Sequence, residues 1–236
     1  MLSVRLQRPS AVVSLMIATA LLPAGSTATA AAPEGIDRGG HVAVISGDNL
    51  STQAMLAQED LVTFLEQTLG VTVRLVPAAA DLSELEEAVC ILLGTRDENA
   101  AIADLADRRF ELAVEVGHLG EKLVIALTGQ TLTGASHAAY SFLENELGVG
   151  FFIDGNRVPR LETVKLAGLD RIERPAVPLR GLFYHHTWKH PLANSWRLWG
   201  FDRWKESIDW MRRKRFNILP MMHDAGGYLW GDVIFE

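Results

Sequence analysis

The sequence predicts an α/β domain with a mixed sheet, α+β in character, followed by a (β/α)8 TIM-type barrel that is incomplete within 236 residues. Three observations carry this expectation. Across residues 41–166, short runs rich in β-branched residues alternate with stretches whose apolar positions recur at helical spacing, the pattern of strands joined by helices. Two of those runs flank Gly117-His118-Leu119-Gly120, a hairpin signal that puts an antiparallel pair into the sheet. From Pro178-Leu179-Arg180-Gly181 onward the pattern is strand, helix, strand, and all six tryptophans fall between Trp188 and Trp230.

Residues 41–45 form a short apolar run ending at Ser46-Gly47-Asp48-Asn49 and predict the first strand. Over residues 51–69, Ala54, Leu61, Phe64, Leu65 and Leu69 stand at mostly helical spacing, and Gly70 supplies a C-cap. Residues 71–76 and 88–93 predict two more strands, the second leading into Gly94-Thr95-Arg96-Asp97-Glu98-Asn99 and a helix over 99–109. The hairpin strands are expected over 111–116 and 122–127. A second long helix over 131–147 lines up Ala135, Ala138, Ala139, Phe142, Leu143 and Leu147, and Gly148 closes it. A short strand over 149–153, a turn at Asp154-Gly155-Asn156 and an edge strand over 161–166 complete the domain. Pro175 and Pro178 mark a junction over 171–178.

The N-terminus has the form of an export signal. Arg5 and Arg8 make a basic start, residues 11–22 are mostly apolar, and Ala28-Thr29-Ala30 offers small residues before a cleavage point. Pro23, Gly25 and Ser26 interrupt the run too early for a membrane span, which needs roughly twenty apolar residues. The expected division is therefore a signal peptide over 1–30, a flexible start over 31–40, the α/β domain over 41–170, a linker over 171–178 and the barrel segment over 179–236. The expected location is secreted or periplasmic, with no membrane association after cleavage.

Charge narrows the partners. The net charge of −7 becomes −9 when Arg5 and Arg8 are removed, and no basic tract compensates, so nucleic acid is disfavoured. The single cysteine, Cys90, lies in an apolar run and is expected to be packed rather than reactive. The glycine turns at 46–49 and 94–99 lack both the dinucleotide fingerprint and the lysine of a phosphate loop, so no cofactor is expected.

In the second region, residues 201–211 predict a helix with Asp202 as N-cap, Trp204, Ile208 and Met211 as its buried stripe, and an Asp209–Arg213 ion pair on the solvent side. Its carboxylates are structural, because barrel chemistry sits at the C-terminal ends of strands. The loops after the strands carry the donors and aromatic faces that suit a polyol ring: Tyr184, His185, His186, Thr187, Trp188, Lys189 and His190 after the first, and Met222, His223, Asp224, Tyr228 and Trp230 after the second. Trp196 and Trp199 belong to the same rim, whereas Trp204 and Trp210 belong to the helix. A zinc site would use His186 and His190 with His223, but Pro191 breaks the helical spacing such a pair requires, and no metal is expected.

The order strand, Gly94-Thr95, helix, hairpin, then Tyr140-Ser141-Phe142-Leu143-Glu144-Asn145-Glu146-Leu147-Gly148-Val149 and Val158-Pro159, resembles the accessory α/β domain that precedes the barrel in several glycoside hydrolase families. These are the α-glucuronidases, β-N-acetylhexosaminidases and α-N-acetylglucosaminidases. Arg180-Gly181, the helix with Ile208-Asp209-Trp210-Met211 and the strand Phe216-Asn217-Ile218-Leu219 are similar to the opening of their barrels, the helix most of all to the last family. The resemblance implies hydrolysis of glycosidic bonds of uronic acid or N-acetylhexosamine sugars. It implies a carbohydrate-binding role for Arg180, which a structural ion pair would equally explain, and for His185 or His186; the loop chemistry assigns the same role to Tyr184, Trp188 and His223, and leaves Asp224 substrate-binding or structural.

Such catalysis needs two carboxyl groups about 5 to 9.5 Å apart, or one carboxyl group and the sugar's acetamido group. Only Asp224 and Asp232 stand near strand ends here, and Asp224 is a weak catalytic candidate. The resemblance places the catalytic pair on later strands. A whole barrel takes typically about 250 residues, and 58 follow Pro178. The expectation is the N-terminal portion of an exported glycoside hydrolase, either a fragment, an interrupted gene or a chain whose barrel a second polypeptide completes. The alternative is a non-catalytic exported carbohydrate-binding protein.

Overall fold

The computed structural model describes residues 32–47, 50–99, 102, 111–182, 200–224 and 228–234, with side chains as far as Leu219. Its elements are β1 (Gly35–Asp37), β2 (His41–Ser46), α1 (Thr52–Leu69), β3 (Thr72–Pro77), β4 (Val89–Gly94), β5 (Leu112–Leu119), β6 (Lys122–Gly129), α2 (Leu132–Asn145), β7 (Gly150–Phe152), β8 (Gly155–Arg157), β9 (Thr163–Lys165), β10 (Asp170–Glu173), α3 (Phe201–Arg213), β11 (Ile218–Asp224) and β12 (Tyr228–Ile234). Six strands form one sheet in the order β10-β5-β6-β4-β2-β3. β3, β2, β4 and β6 run parallel, and β5 and β10 add antiparallel pairings at one side, so the sheet is mixed as predicted.

Side-chain alternation along the strands sorts the core onto two faces. Val42 and Val44 of β2, Val89, Ile91 and Leu93 of β4, and Leu123, Ile125 and Leu127 of β6 enter the main core with Leu61, Leu65, Phe142 and Leu143 of the two helices. Ala43, Ile45, Cys90 and Leu92 point the other way, onto Ala78, Ala80, Leu82 and Leu85 of the segment after β3. Cys90 is buried, and desolvation raises its thiol pKa away from the reactive thiolate. α1 begins where Ser51 Oγ accepts the Ala54 amide at 3.2 Å and ends at Gly70, left-handed at φ 61, whose amide bonds the Glu66 carbonyl.

Several boundaries moved. The β5–β6 turn is Gly120-Glu121, with Gly120 at φ 60, and Gly117, His118 and Leu119 belong to β5, because the strands pair as far as Leu119 opposite Lys122. Gly155 and Asn156 are in β8 rather than a turn. Residues 35–37, expected to be flexible, form β1 on β9, and Ile36 is buried in the core; 163–165 therefore pair in a separate ribbon and not at the edge of the sheet. Residues 171–173, expected in the linker, form most of β10 at the edge of the main sheet. The helix expected over 99–109 lies mostly outside the described residues.

In the second region the amides of Asn217 and Ile218 both donate to the Arg180 carbonyl, at 2.9 and 3.1 Å, so the chain at Arg180 lies beside the start of β11, but residues 179–182, expected to open a barrel strand, form none. β11 and β12, however, form an antiparallel hairpin from Ile218 opposite Ile234 to Asp224 opposite Tyr228. A (β/α)8 barrel is built from parallel strands, and this pair departs from that pattern. α3 has Gly200, not Asp202, at its N-cap without a side-chain bond; Asp202 stands in the first turn, where its charge suits the helix dipole. Ser207, Met211 and Arg212 are its buried residues, while Trp204 and Ile208 are half-buried.

Candidate functional site

Arg180 is the one predicted sugar-contact residue whose side chain is described, and it is held within the protein. Its Nη2 donates to Glu111 Oε1, Nε to the Arg215 carbonyl at 3.2 Å, and Nη1 to the Val177 and Pro178 carbonyls at 3.1 and 3.3 Å. Asn217 clamps the same turn, its Oδ1 accepting the Arg180 amide and its Nδ2 donating to the Pro178 carbonyl, each at 2.8 Å. Glu111 stands at the start of β5 and also bonds His137 Nδ1 of α2. The α/β domain and the first segment of the second region thus share one carboxylate.

His137 is 2% exposed at its side chain. Burial lowers its pKa, and the bond to Glu111 only partly offsets this, so the ring is neutral at pH 7 and Nδ1–H donates. Burial raises the Glu111 carboxyl, but the bonds from His137 and Arg180 outweigh it and hold the group below the ordinary carboxylate range. Both shifts act in one direction. Below the ordinary histidine value of 6.5 the unfolded chain takes a proton at His137 before the folded chain does, and below 4.5 the same holds at Glu111. Stability is therefore full above pH 6.5 and falls with pH, at up to about 1.4 kcal/mol per pH unit for each such group. Thermal melting at pH 7.0, 6.0 and 5.0 should show the midpoint falling, and His137→Asn should flatten the upper part of that profile. A wild-type midpoint constant from pH 7 to 5 contradicts the assignment.

A second junction lies at the end of α3. Arg213 grips Asp60 of α1 with both arms, Nε to Oδ2 at 3.0 Å and Nη2 to Oδ1 at 2.9 Å, and its guanidinium lies 5.9 Å from the Phe64 and Phe151 ring centroids. Arg212 reaches Asp60 Oδ2 at 3.2 Å and donates to Tyr140 Oη, which itself donates to Asp60 at 3.0 Å. Lys214 bonds Glu144 at 2.6 Å, and Arg215 bonds Glu173 at 3.0 Å. Trp210 Nε1 donates to the Phe151 carbonyl at 3.3 Å. The expected Asp209–Arg213 pair is not the one formed: Asp209 takes Lys205 at 2.6 Å and Arg212 at 3.6 Å, because Arg213 faces α1 rather than solvent. The basic run Arg212–Arg215 is a docking surface for the chain's own acids.

Tyr184, His185, His186, Trp188 and His190 lie outside the described residues. His223 and Asp224, expected in a loop, are in β11, and their side chains are not described. Among the described residues no group of three or more His, Cys, Asp and Glu side chains could hold a metal, and no helix is long and apolar enough to cross a membrane. At the 94–99 turn, Glu98 Oε2 accepts the Thr95 amide at 3.1 Å, so that amide serves its own loop.

Neither the protein-family models nor the curated proteins match this chain. Solved structures do. A family GH115 4-O-methyl-α-glucuronidase, BtGH115A, with specificity for decorated arabinogalactans, superposes with a TM-score of 0.57 at 19% identity, over 78% of this chain and 25% of its own. A family 89 glycoside hydrolase from Clostridium perfringens, in complex with 2-acetamido-1,2-dideoxynojirmycin, gives 0.39 at 15% identity, over 71% of this chain and 16% of its own. CpGH84D gives 0.30 at 14%, over 44% of this chain and 17% of its own. The chain has an α/β fold like that found in a glycoside hydrolase, and it spans a quarter or less of the length of these structures.

Proposed function

We propose that this chain is the N-terminal portion of an exported glycoside hydrolase: an accessory α/β domain joined to the opening of a (β/α)8 barrel, acting on glycosidic bonds of uronic acid or N-acetylhexosamine sugars. The observation that carries this is the fold likeness to the GH115 α-glucuronidase over 78% of the chain, in agreement with motifs quoted from the sequence independently of it. The shared Glu111 and the Asp60 cluster support a fixed placement of the second region against the first. In this reading residues 1–30 direct export. Tyr184, His185, His186 and Trp188 contribute the sugar-facing rim, with His223 and Asp224 beside them. Arg180, held by Glu111 at the start of the segment that leads to them, belongs to the same set of sugar contacts. The catalytic carboxyl groups come from barrel strands that are not among residues 1–236, and no cofactor or metal takes part.

Aryl glycosides of glucuronic acid and N-acetylglucosamine test the division of labour. The purified chain is expected to give no release above the uncatalysed rate, because general-acid and nucleophile assistance both require the missing pair. Turnover that disappears in Asp224→Asn or Asp232→Asn would show that the catalytic acids are present and would overturn their placement elsewhere.

A further inference from the structure

A cleft of about 250 Å3 opens at the seam between the sheet and the second region. Its charged lining is Arg174, Arg180, Lys214 and Arg215 with Glu111 and Glu173, four cations against two carboxylates on a chain whose net charge is −7. We propose that this cleft is an oxyanion site for a small ligand bearing a carboxylate or sulfate group.

The two carboxylates are already engaged and act as struts. Glu111 holds Arg180 and His137, and Glu173 accepts from Ser141 Oγ at 2.7 Å and Arg215 Nη1 at 3.0 Å. Glu144, outside the lining, fixes Lys214 at 2.6 Å and Arg215 Nη2 at 3.5 Å. These bonds leave ammonium and guanidinium hydrogens of Lys214 and Arg215 uncommitted, in a direction already set by the struts. Arg174 is exposed at the mouth and has no hydrogen-bond or ion-pair partner among the described residues. Arg215 sits at φ 63, the one non-glycine left-handed backbone among the described residues. That conformation costs roughly 1–2 kcal/mol and turns the Arg215 carbonyl onto Arg180 Nε, which keeps its guanidinium at the seam.

One guanidinium held in place at Arg215, the Lys214 ammonium beside it and the exposed Arg174 at the mouth, around an open volume, supply the charge-assisted donors that carboxylate and sulfate oxygens accept. The volume suits one sugar ring or a free anion, being below the range of about 300–1,000 Å3 typical of larger ligands. This inference does not depend on the glycosidase reading, since it concerns the charge of the seam and not the rim at 184–188.

Calorimetric titration of the full chain with sodium sulfate, sodium acetate, glucuronate and glucose, at low ionic strength, decides it. At least one anion should bind with a dissociation constant near about 1 mM, a weak but measurable affinity, while glucose at the same concentration should not. Arg174→Ala with Lys214→Ala should weaken that binding about tenfold or more. Both side chains are exposed and their loss should leave folding intact, which the melting curve of the variant verifies. Sulfate or acetate binding as tightly as glucuronate identifies a free-anion site, and glucuronate alone identifies an acidic sugar; either supports the proposal. No anion binding at about 20 mM, glucose binding as well as glucuronate, or unchanged affinity in the folded double variant overturns it.

Discussion

Asp60→Ala is expected to destabilise the protein by about 3–5 kcal/mol, the cost of taking from a buried cation its nearer carboxylate and leaving only Asp209, at 3.6 Å. The Arg212 side chain is only 8% exposed and Asp60 13%, so water cannot replace the lost carboxylate around the inner guanidinium. The same carboxylate accepts from Arg213 and Tyr140, and its removal takes the acceptor from four hydrogen bonds of three side chains at once. At roughly 2–4 °C per kcal/mol for a protein of this size, the melting midpoint should fall by roughly 10 °C. Arg213→Ala should cost less, because that side chain is more exposed and Asp60 retains Arg212. Asp60→Leu combined with Arg212→Met should recover much of the loss, since an apolar pair avoids the desolvation of both ions. Asp60→Ala melting within 2 °C of wild type, measured by calorimetry, would contradict a cluster that joins α3 to α1.

Gly134→Ala should be nearly as damaging, by about 3 kcal/mol, although it adds one methyl group to a helix where alanine is ordinarily the better residue. A Cβ on Gly134 would stand 2.1 Å from the Glu111 carbonyl oxygen, and that atom belongs to backbone entering β5. Gly129 faces the same junction, where a Cβ would meet the Gly134 backbone at 2.3 Å. The first turn of α2 lies against the end of β6 and the start of β5 with no room for side chains, and this closeness sets Glu111 within reach of His137. The substitution should therefore also weaken the Glu111–Arg180 brace. Equilibrium urea unfolding of Gly134→Ala against Gly70→Ala, where a Cβ meets nothing within 4 Å and only the left-handed backbone objects, separates the steric cost from the conformational one. A larger loss at Gly70 than at Gly134 would contradict the argument.

Local chemistry made much of the first domain legible. Ser51, Gly70 and the apolar spacing between them bound α1 to within one residue, and the β-branched runs located β2, β3, β4 and β6, because caps and side-chain periods act over a few residues. Pairing between distant segments was not legible. Nothing near Gly35-Ile36-Asp37 announces that it will pair with residues 163–165, and a segment just after a run that reads as an export signal is more readily taken as flexible. Asp60 went unnoticed for a related reason. A single acid on a helix, and a run of cations at another helix's end, each look like solvated charge until tertiary packing brings them within 3 Å. The misplaced Asp209–Arg213 pair was the local answer to a question that the fold settles at longer range. Arg180 was found as a residue of consequence, but its bonds go to Glu111 and to backbone carbonyls. Its sequence context, ahead of an aromatic-rich segment, does not distinguish a ligand contact from an anchoring residue.

Carbohydrate recognition by the rim at 184–188 is the central claim, and saturation-transfer NMR on the full chain tests it most directly. Glucuronic acid, N-acetylglucosamine and a linear hexitol control would each be presented at about 10 mM, where ligands with millimolar dissociation constants are detected. The account predicts transfer to the ring protons of N-acetylglucosamine or, in an Arg174→Ala, Lys214→Ala background that removes the seam cations, of glucuronic acid, none to the hexitol, and loss of that transfer when Tyr184→Ala, His186→Ala and Trp188→Ala are added in a folded variant. Transfer to neither sugar, or transfer undiminished in the triple variant, would contradict it.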